Sequence, residues 1–115
     1  MSEVPTLLIV DDEARIVTAL RRCLRKQGYE IHSAESPQAG LLLLAEHSFD
    51  LVLSDQKMPG MNGLDFLAEA ARQCPGAALV LITGWPEAAP PARLEQIGVG
   101  AVIQKPWDDA QLKAT

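Results

Sequence analysis

The sequence predicts an α/β fold in which a doubly wound parallel sheet carries helices on both faces. Short apolar runs recur five times along the 115 residues, and a helical pattern follows each run. Units of this size that alternate strand and helix form parallel sheets, because their crossovers are right-handed and bring each strand back in the same direction. The length fits one core, so we expect residues 1–115 to be one domain, either the N-terminal part of a longer protein or a chain cut inside its last helix.

Five apolar runs predict the strands. Each run is four to six residues long, and the residues between runs have the spacing of a helix or the composition of a turn. In chain order the runs are TLLIV (6–10), YEIHSA (29–34), LVLS (51–54), ALVLI (78–82) and AVIQ (101–104).

A first amphipathic helix is predicted over Glu13–Gln27, where apolar residues recur at helical spacing. Gly28 ends this helix, as glycine commonly does after a last helical turn. Its apolar face comprises Ile16, Leu20, Cys23 and Leu24. Its basic residues are Arg15, Arg21, Arg22, Arg25 and Lys26, which we interpret first as a solvated face.

The next two helices have clear start and stop signals. Ser36 is a predicted N-cap, Pro37 suits the first helical position, and the apolar stretch 41–45 forms the body of the second helix. The third helix is predicted over Leu64–Cys74, and Pro75-Gly76 ends it.

The last two helices are predicted to be short. Prolines forbid a regular fourth helix before about Ala92, so it should run only through Ile97. A fifth helix begins at about Asp108 and is truncated by the end of the chain at Thr115. The prolines concerned are Pro86, Pro90 and Pro91.

The composition is typical of a globular domain and excludes several partners. With 48% hydrophobic and 22% charged residues, the chain can bury an ordinary core. A formal net charge of -5 should repel nucleic acid and anionic membranes, so we expect neither as a partner. No window is long and apolar enough to span a membrane and no export signal is visible, so we expect a cytoplasmic protein.

The cysteines and histidines show no metal-binding pattern. Cys23 and Cys74 lack CxxC or CxxxH spacing, so we interpret them as buried or idle thiols in a reducing compartment. His32 and His47 have no carboxylate or thiol at metal spacing, and we interpret both as structural.

Polar side chains follow four of the five predicted strands. Ligands of doubly wound sheets bind beyond the carboxyl ends of the strands, where the strand order reverses. We therefore expect these polar residues to meet at one edge of the sheet. They are Asp11 and Asp12 after the first strand, Asp55 after the third, Thr83 after the fourth and Lys105 after the fifth.

This set of side chains predicts a metal site and a phosphoryl site together. Three carboxylates at one edge repel one another unless a cation lies between them, and oxygen ligands of this kind suit Mg²⁺. The hydroxyl of Thr83 and the ammonium group of Lys105 favour an anion such as a phosphoryl group. Asp55 would then be a carboxylate nucleophile that accepts the phosphoryl group as an acyl phosphate.

In this order and at these positions, the motifs resemble the receiver domain of two-component response regulators. The family pattern is DD after strand one, D-x-x-M-P-G-x-x-G after strand three, T after strand four and KP after strand five, and it covers almost the whole chain. Five elements in order are a strong signal, whereas a lone DD or KP would be weak. In this sequence they are Asp11-Asp12, Asp55 with Met58-Pro59-Gly60 and Gly63, Thr83, and Lys105-Pro106.

The resemblance implies a fold and a role for each site residue. The fold would be flavodoxin-like, with strand order 2-1-3-4-5. Asp55 would be the phosphoacceptor and a metal ligand, and Thr83 and Lys105 would contact the phosphoryl oxygens. The further Mg²⁺ ligands would be Asp12 directly, Asp11 through water and the backbone carbonyl of Lys57.

The resemblance also implies partners. A histidine kinase or a histidine phosphotransfer protein would donate the phosphoryl group, and the basic first helix would be its docking surface if it is not merely solvated. A C-terminal output domain would respond to phosphorylation. The oligomeric state stays open between a monomer and a homodimer.

The sequence departs from the family pattern at several positions. Val102 stands where the family often has a switching aromatic residue, and Pro90 and Pro91 fall where a regular fourth helix normally lies. Lys57 and Trp85 occupy positions that in the family tune loss of the phosphoryl group, so we expect both to alter its lifetime. Unchanged hydrolysis rates in Lys57→Ala and Trp85→Ala would exclude this effect.

Two other functions are compatible with part of the pattern. A pseudo-receiver would bind partners without accepting phosphate, although the full set of acceptor and ligand residues argues against it. A phosphatase with an aspartyl nucleophile also uses Asp, Thr, Lys and Mg²⁺. Proteins of that class, however, have the motif D-x-D, with a second carboxylate two residues after the nucleophile. Lys57 stands at the second carboxylate position here, and 115 residues leave no room for a cap domain.

Overall fold

The computed structural model describes residues 5–24, 28–58, 60–84 and 90–104, where five strands alternate with four helices. The strands are β1 (Thr6–Val10), β2 (Glu30–Ala34), β3 (Leu51–Asp55), β4 (Ala78–Thr83) and β5 (Val99–Gln104). The helices are α1 (Ala14–Leu24), α2 (Pro37–Glu46), α3 (Gly63–Gln73) and α4 (Pro91–Ile97).

All strand pairs are parallel, and the order across the sheet is β2-β1-β3-β4-β5. The predicted doubly wound, flavodoxin-like fold is therefore confirmed. The order reverses between β1 and β3, because the chain moves outward to β2 on one side and to β4 and β5 on the other. The crevice beyond the carboxyl ends of β1 and β3 is where ligands bind in sheets of this kind.

The sheet separates two apolar clusters, and β1 contributes to both. Leu7 and Ile9 pack in the cluster that contains the buried residues of α1, whereas Leu8 and Val10 pack in the cluster that contains those of α2 and α3. None of these four side chains is exposed to solvent. A strand covered on both faces reads as a continuous apolar run, which is why TLLIV shows no alternation.

Helix α1 buries a face slightly different from the predicted one. Val17, Leu20 and Leu24 are buried, whereas Ile16 and Cys23 are half-buried and flank the same cluster. The prediction omitted Val17, which lies on the same side of the helix as Leu20 and Leu24 because their spacings are three and four residues. The predicted last turn, residues 25–27, lies outside the described part of the chain.

Helix α2 begins as predicted and lies very close to its neighbours. The hydroxyl of Ser36 accepts a hydrogen bond from the backbone N–H of Ala39 at 3.1 Å, and Pro37 follows the cap. A Cβ built on Gly40 would lie 2.9 Å from atoms of Phe66 and Val10. Glycine therefore allows α2 to approach the sheet and α3 more closely than any larger residue would.

The last described elements begin earlier than predicted. Helix α4 starts at Pro91 instead of Ala92, since proline is tolerated in a first turn, and Gly98 follows its last residue, Ile97, in a left-handed conformation. Strand β5 starts at Val99 instead of residue 101, and its register with β4 shifts between Leu79, which pairs with Val99, and Val80, which pairs with Ala101. Within α4, all of which is described, no residue is buried. The predicted helix at Asp108 lies outside the described residues.

The remaining predictions concern isolated residues. Both cysteines are half-buried and neither forms a disulfide. The rings of His32 and His47 lie 5.3 Å apart between centroids, and both pack near Phe49, consistent with a structural role. Among the described residues, no helix has both the length and the apolar character needed to cross a membrane.

Candidate functional site

The carboxyl ends of β1, β3 and β4 bring three polar side chains to one edge of the sheet. Asp55 is the last residue of β3, which lies between β1 and β4, so its side chain is the central one. Asp11 directly follows β1, and Thr83 is the last residue of β4. All three therefore lie at the crevice where the strand order reverses.

These side chains are almost fully removed from solvent. Asp11 is 1% exposed, Asp55 is 5% exposed and Thr83 is 7% exposed, whereas Asp12 is exposed. Removing a carboxylate from water costs free energy unless hydrogen bonds or an opposite charge compensate for the loss of hydration. Two buried carboxylates at the end of a sheet thus favour a site that receives a cation.

The three carboxylates are close enough to share one metal ion. One carboxylate oxygen from each of Asp11, Asp12 and Asp55 lies within 4.8 Å of the other two. Oxygen donors at this separation fit a small hard cation such as Mg²⁺, which takes few carboxylates and keeps several waters. The exposure of Asp12 leaves one side of the group open to solvent, where such waters would lie.

Backbone hydrogen bonds orient Asp11. Its N–H donates to the carbonyl oxygen of Ala34 at 3.2 Å, which extends the pairing of β1 with β2 by one residue. Its Oδ1 accepts a hydrogen bond from the N–H of Glu13 at 2.9 Å. The carboxylate is therefore held in place by the first turn of the loop between β1 and α1.

The neighbouring residue Gln56 orients Asp55. The N–H of Gln56 donates to Oδ1 of Asp55 at 2.9 Å and to the carbonyl oxygen of Ile82 at 3.1 Å. The hydroxyl of Ser54, which is fully buried, donates to the carbonyl oxygen of Asp55 at 2.9 Å. Side chain and main chain of Asp55 are thus each fixed by a separate hydrogen bond.

Two glycines shape the loop that connects β3 to α3. Gly60 has a φ of +86°, a backbone conformation that residues with a Cβ rarely adopt. A Cβ built on Gly63 would lie 2.1 Å from the carbonyl oxygen of Asp55, so only glycine permits this approach. The loop can therefore fold back closely over the end of β3, as the PGMNG sequence suggests.

The structure describes most, but not all, of the predicted site residues. Asp11, Asp12, Asp55 and Thr83 lie at the same edge, and Lys57 is an exposed residue of the loop after β3. The predicted phosphoryl contact Lys105, with Pro106, lies outside the described residues, as do Pro59 of the loop motif and Trp85 after β4. Val102 is half-buried in β5 and packs against the cluster formed by α2 and α3.

Sequence reasoning missed the role of Gln56. Its side chain contacts the backbone eight residues further along, where Oε1 accepts a hydrogen bond from the N–H of Leu64 at 3.0 Å. A lone glutamine after a strand has no local pattern that predicts such a contact. The glycine at position 63 was the one available signal that the helix and the strand end approach each other.

Comparison with known proteins identifies the family. Residues 7–115 match the response regulator receiver domain. The transcriptional regulatory protein GlrR of Escherichia coli (strain K12) is 34% identical over 109 residues, which cover 94% of this chain and 24% of that protein. A response regulator receiver protein of Anaeromyxobacter sp. (strain Fw109-5) is 40% identical over 101 residues, or 86% of this chain and 42% of that protein.

Solved structures agree with the sequence relatives. The signal receiver domain of an HD domain-containing protein from Pseudomonas fluorescens Pf-5 has a TM-score of 0.88 and 33% identity, covering 97% of this chain and 83% of that chain. The response regulator TrrA from Thermotoga maritima, solved in complex with Mg²⁺ and BeF, has a TM-score of 0.85 and 28% identity. The match covers 96% of this chain and 94% of that chain. The chain belongs to the response regulator receiver domain family of two-component systems.

Proposed function

We propose that this domain accepts a phosphoryl group on Asp55 in a reaction that depends on Mg²⁺. The observation that carries the proposal is the grouping of three carboxylates at the carboxyl end of the central strand, within 4.8 Å of one another. Asp55 is the member of the group that ends the central strand, and it is buried and held by the backbone N–H of Gln56. The relatives of this chain are receiver domains, and the structure of one similar protein was solved with Mg²⁺ and BeF.

The proposed transfer needs no proton from Asp55. A carboxylate oxygen attacks the phosphorus atom, an O–P bond forms, and the P–N bond of a phosphohistidine breaks with its electron pair left on the imidazole nitrogen. When bound, Mg²⁺ supplies positive charge that reduces the repulsion between the carboxylates and the incoming phosphoryl oxygens. Asp12, Asp55 and the carbonyl of Lys57 would hold it directly, and Asp11 would do so through water.

Two further side chains complete the proposed site. The hydroxyl of Thr83 would donate a hydrogen bond to a phosphoryl oxygen, since it lies at the end of the strand next to Asp55. The ammonium group of Lys105 would neutralise a second oxygen. Gly84, the residue after Thr83, has no side chain that could obstruct the phosphoryl group.

The proposed partners follow from the family. A histidine kinase or a histidine phosphotransfer protein in the cytoplasm would donate the phosphoryl group, and phosphorylation would switch the domain surface to control an output. The chain spans 21% to 24% of the length of the transcriptional regulators it matches. We propose that residues 1–115 act as the receiver part of such a longer protein, with the output domain C-terminal to it.

The first experiment is the intact mass of the protein after incubation with acetyl phosphate. We expect one added phosphoryl group in the presence of Mg²⁺, and none without Mg²⁺ or in Asp55→Asn. Phosphorylation of Asp55→Asn to the same extent would exclude Asp55 as the acceptor.

A second measurement distinguishes the alternatives. If no mass is added, binding of beryllofluoride with Mg²⁺ would indicate an acyl phosphate too short-lived to detect, and absence of binding would favour a pseudo-receiver. Continuous turnover of phosphate monoesters would favour a phosphatase.

A further inference from the structure

Gln56 closes the loop between β3 and α3 with two hydrogen bonds to the start of α3. Its backbone carbonyl accepts from the N–H of Gly63 at 2.9 Å, and its side-chain Oε1 accepts from the N–H of Leu64 at 3.0 Å. These N–H groups belong to the first turn of α3, where the helix itself supplies no acceptor. One residue therefore satisfies two consecutive donors and ties both ends of the loop together.

The same residue is also fixed to the sheet. The N–H of Gln56 donates to Oδ1 of Asp55 and to the carbonyl oxygen of Ile82 on β4. Gln56 thus connects the acceptor carboxylate, the neighbouring strand and the start of α3 through separate atoms. Its side chain is half-buried, so water competes less effectively for Oε1 than it would at an exposed position.

The position of this contact relates it to the metal site. Lys57, whose backbone carbonyl is the proposed fourth metal ligand, is the next residue in the loop. A rotation of the backbone at Gln56 would also reorient the Lys57 peptide that follows it. The bond from Leu64 to Oε1 opposes that rotation together with the bond from Gly63 to the backbone carbonyl, because both attach Gln56 to the start of α3.

We infer that Gln56 is a positioning residue, whose side-chain carbonyl holds the Lys57 carbonyl in the orientation that binds Mg²⁺. The inference rests on the proposed function, since it assumes that Mg²⁺ binds between the three carboxylates. Gln56 itself does not touch the metal in this arrangement. It acts through the loop, and its loss should weaken Mg²⁺ binding without removing a ligand.

The test measures Mg²⁺ affinity by titration calorimetry, together with thermal unfolding in the absence of Mg²⁺. In Gln56→Met the side chain keeps its length but loses the acceptor. We expect a 5-fold to 10-fold weaker affinity, about the effect of one lost hydrogen bond, and a Tm lower by about 5 °C. In Gln56→Glu a carboxylate oxygen replaces the amide oxygen as acceptor, so we expect Mg²⁺ affinity at least as high as that of the wild type.

The matched control is Asn62→Ala. Asn62 caps the same helix, because its Oδ1 accepts from the N–H of Asp65 at 2.9 Å, but among the described residues its side chain forms no hydrogen bond with β3 or Gln56. We expect a similar decrease in Tm and an Mg²⁺ affinity within about 2-fold of the wild type. This contrast separates positioning of the loop from general stabilisation of α3.

The possible outcomes are distinct. Wild-type affinity in Gln56→Met, or equal losses of affinity in Gln56→Met and Asn62→Ala, would overturn the inference and leave the proposed function intact. A wild-type protein that binds no Mg²⁺ in the titration would overturn the proposed function, and the inference with it.

Discussion

The α-carbon of Gly63 packs directly against the carbonyl oxygen of Asp55, so that the first residue of α3 touches the last residue of β3. A Cβ at position 63 would lie 2.1 Å from that oxygen and 2.9 Å from two other backbone atoms. These are main-chain atoms of a buried strand end and its neighbour, and they cannot rotate away as a flexible side chain could. The contact makes the candidate acceptor sensitive to a residue that carries no functional group.

We predict that Gly63→Ala destabilises the domain and also disturbs the site. Relief of the clash requires movement of α3 or of the end of β3, and overpacking of this kind costs about 1–3 kcal/mol or more. Denaturant unfolding should show this loss, and phosphorylation by acetyl phosphate should slow in the same variant. The control is Gly76→Ala, where a Cβ would meet nothing within 4 Å. A loss in Gly63→Ala no larger than in Gly76→Ala would contradict the prediction.

We predict that Gly40→Ala also destabilises the domain, although alanine has a higher helix propensity than glycine. Alanine in the middle of an exposed helix stabilises it by about 1 kcal/mol relative to glycine. At Gly40 the new methyl group would meet the ring of Phe66 and a methyl group of Val10 at 2.9 Å. We expect a net loss of about 1–2 kcal/mol in the free energy of unfolding.

The double variant Gly40→Ala with Phe66→Leu checks the cause of that loss. The smaller side chain makes room for the methyl group, so the two changes together should cost less than the sum of the separate costs. Strict additivity would show that the close approach to Phe66 is not responsible.

We predict that Asp11→Asn raises stability without Mg²⁺ and removes most of the stabilisation that Mg²⁺ confers. The amide can keep the hydrogen bond from the N–H of Glu13, while one of three mutually repelling charges disappears. We expect a gain on the order of 1 kcal/mol in metal-free buffer. Thermal unfolding with increasing Mg²⁺ should raise the Tm of the wild type and leave that of the variant nearly constant. An equal rise in both would contradict a role for Asp11 at the metal.

We predict that Arg93→Ala loosens α4 with little change in global stability. The guanidinium group of Arg93 donates to Asp65 at the start of α3, and the two side chains are 42% and 52% exposed. Exposed ion pairs contribute roughly 0.2–1 kcal/mol, so denaturant unfolding should change little. Hydrogen exchange should nevertheless accelerate in residues 91–97, because no residue of this helix is fully buried.

The control for this variant is Arg72→Ala, which removes the ion pair with Glu69 inside α3. It should give the same small global change and no faster exchange in α4. Unaltered exchange of α4 in Arg93→Ala would show that the contact with Asp65 does not restrain the helix.

Most of the fold could be predicted from the sequence because its signals are local. A strand buried on both faces, such as β1, is visible as an unbroken apolar run, and a cap such as Ser36 is visible because serine precedes proline. The strand ends then locate Asp11 and Asp55 at one edge, given only that the strands are parallel. These predictions needed no knowledge of packing.

The features that were missed depend on contacts between distant residues. Val17 was omitted because the apolar stripe of α1 is broad, and its centre is decided by how the helix packs on the sheet. Strand β5 starts early because Val99 pairs with Leu79 ahead of a register shift at Gly100, which the local sequence does not reveal. The contact of Gln56 with Leu64 likewise exists only because α3 folds back onto β3.

The exposure of helix α4 bears on which positions of this domain can change during evolution. None of its side chains is fully buried, but Leu94 and Ile97 are half-buried and pack against the cluster that contains the buried residues of α2 and α3. Substitutions at its exposed positions, such as Glu95 and Gln96, should be nearly neutral for folding and for the chemistry at the edge of the sheet. The exposed positions of α4 can therefore change between related proteins, and with them the surface offered to a partner, while the packed positions of the domain stay constrained.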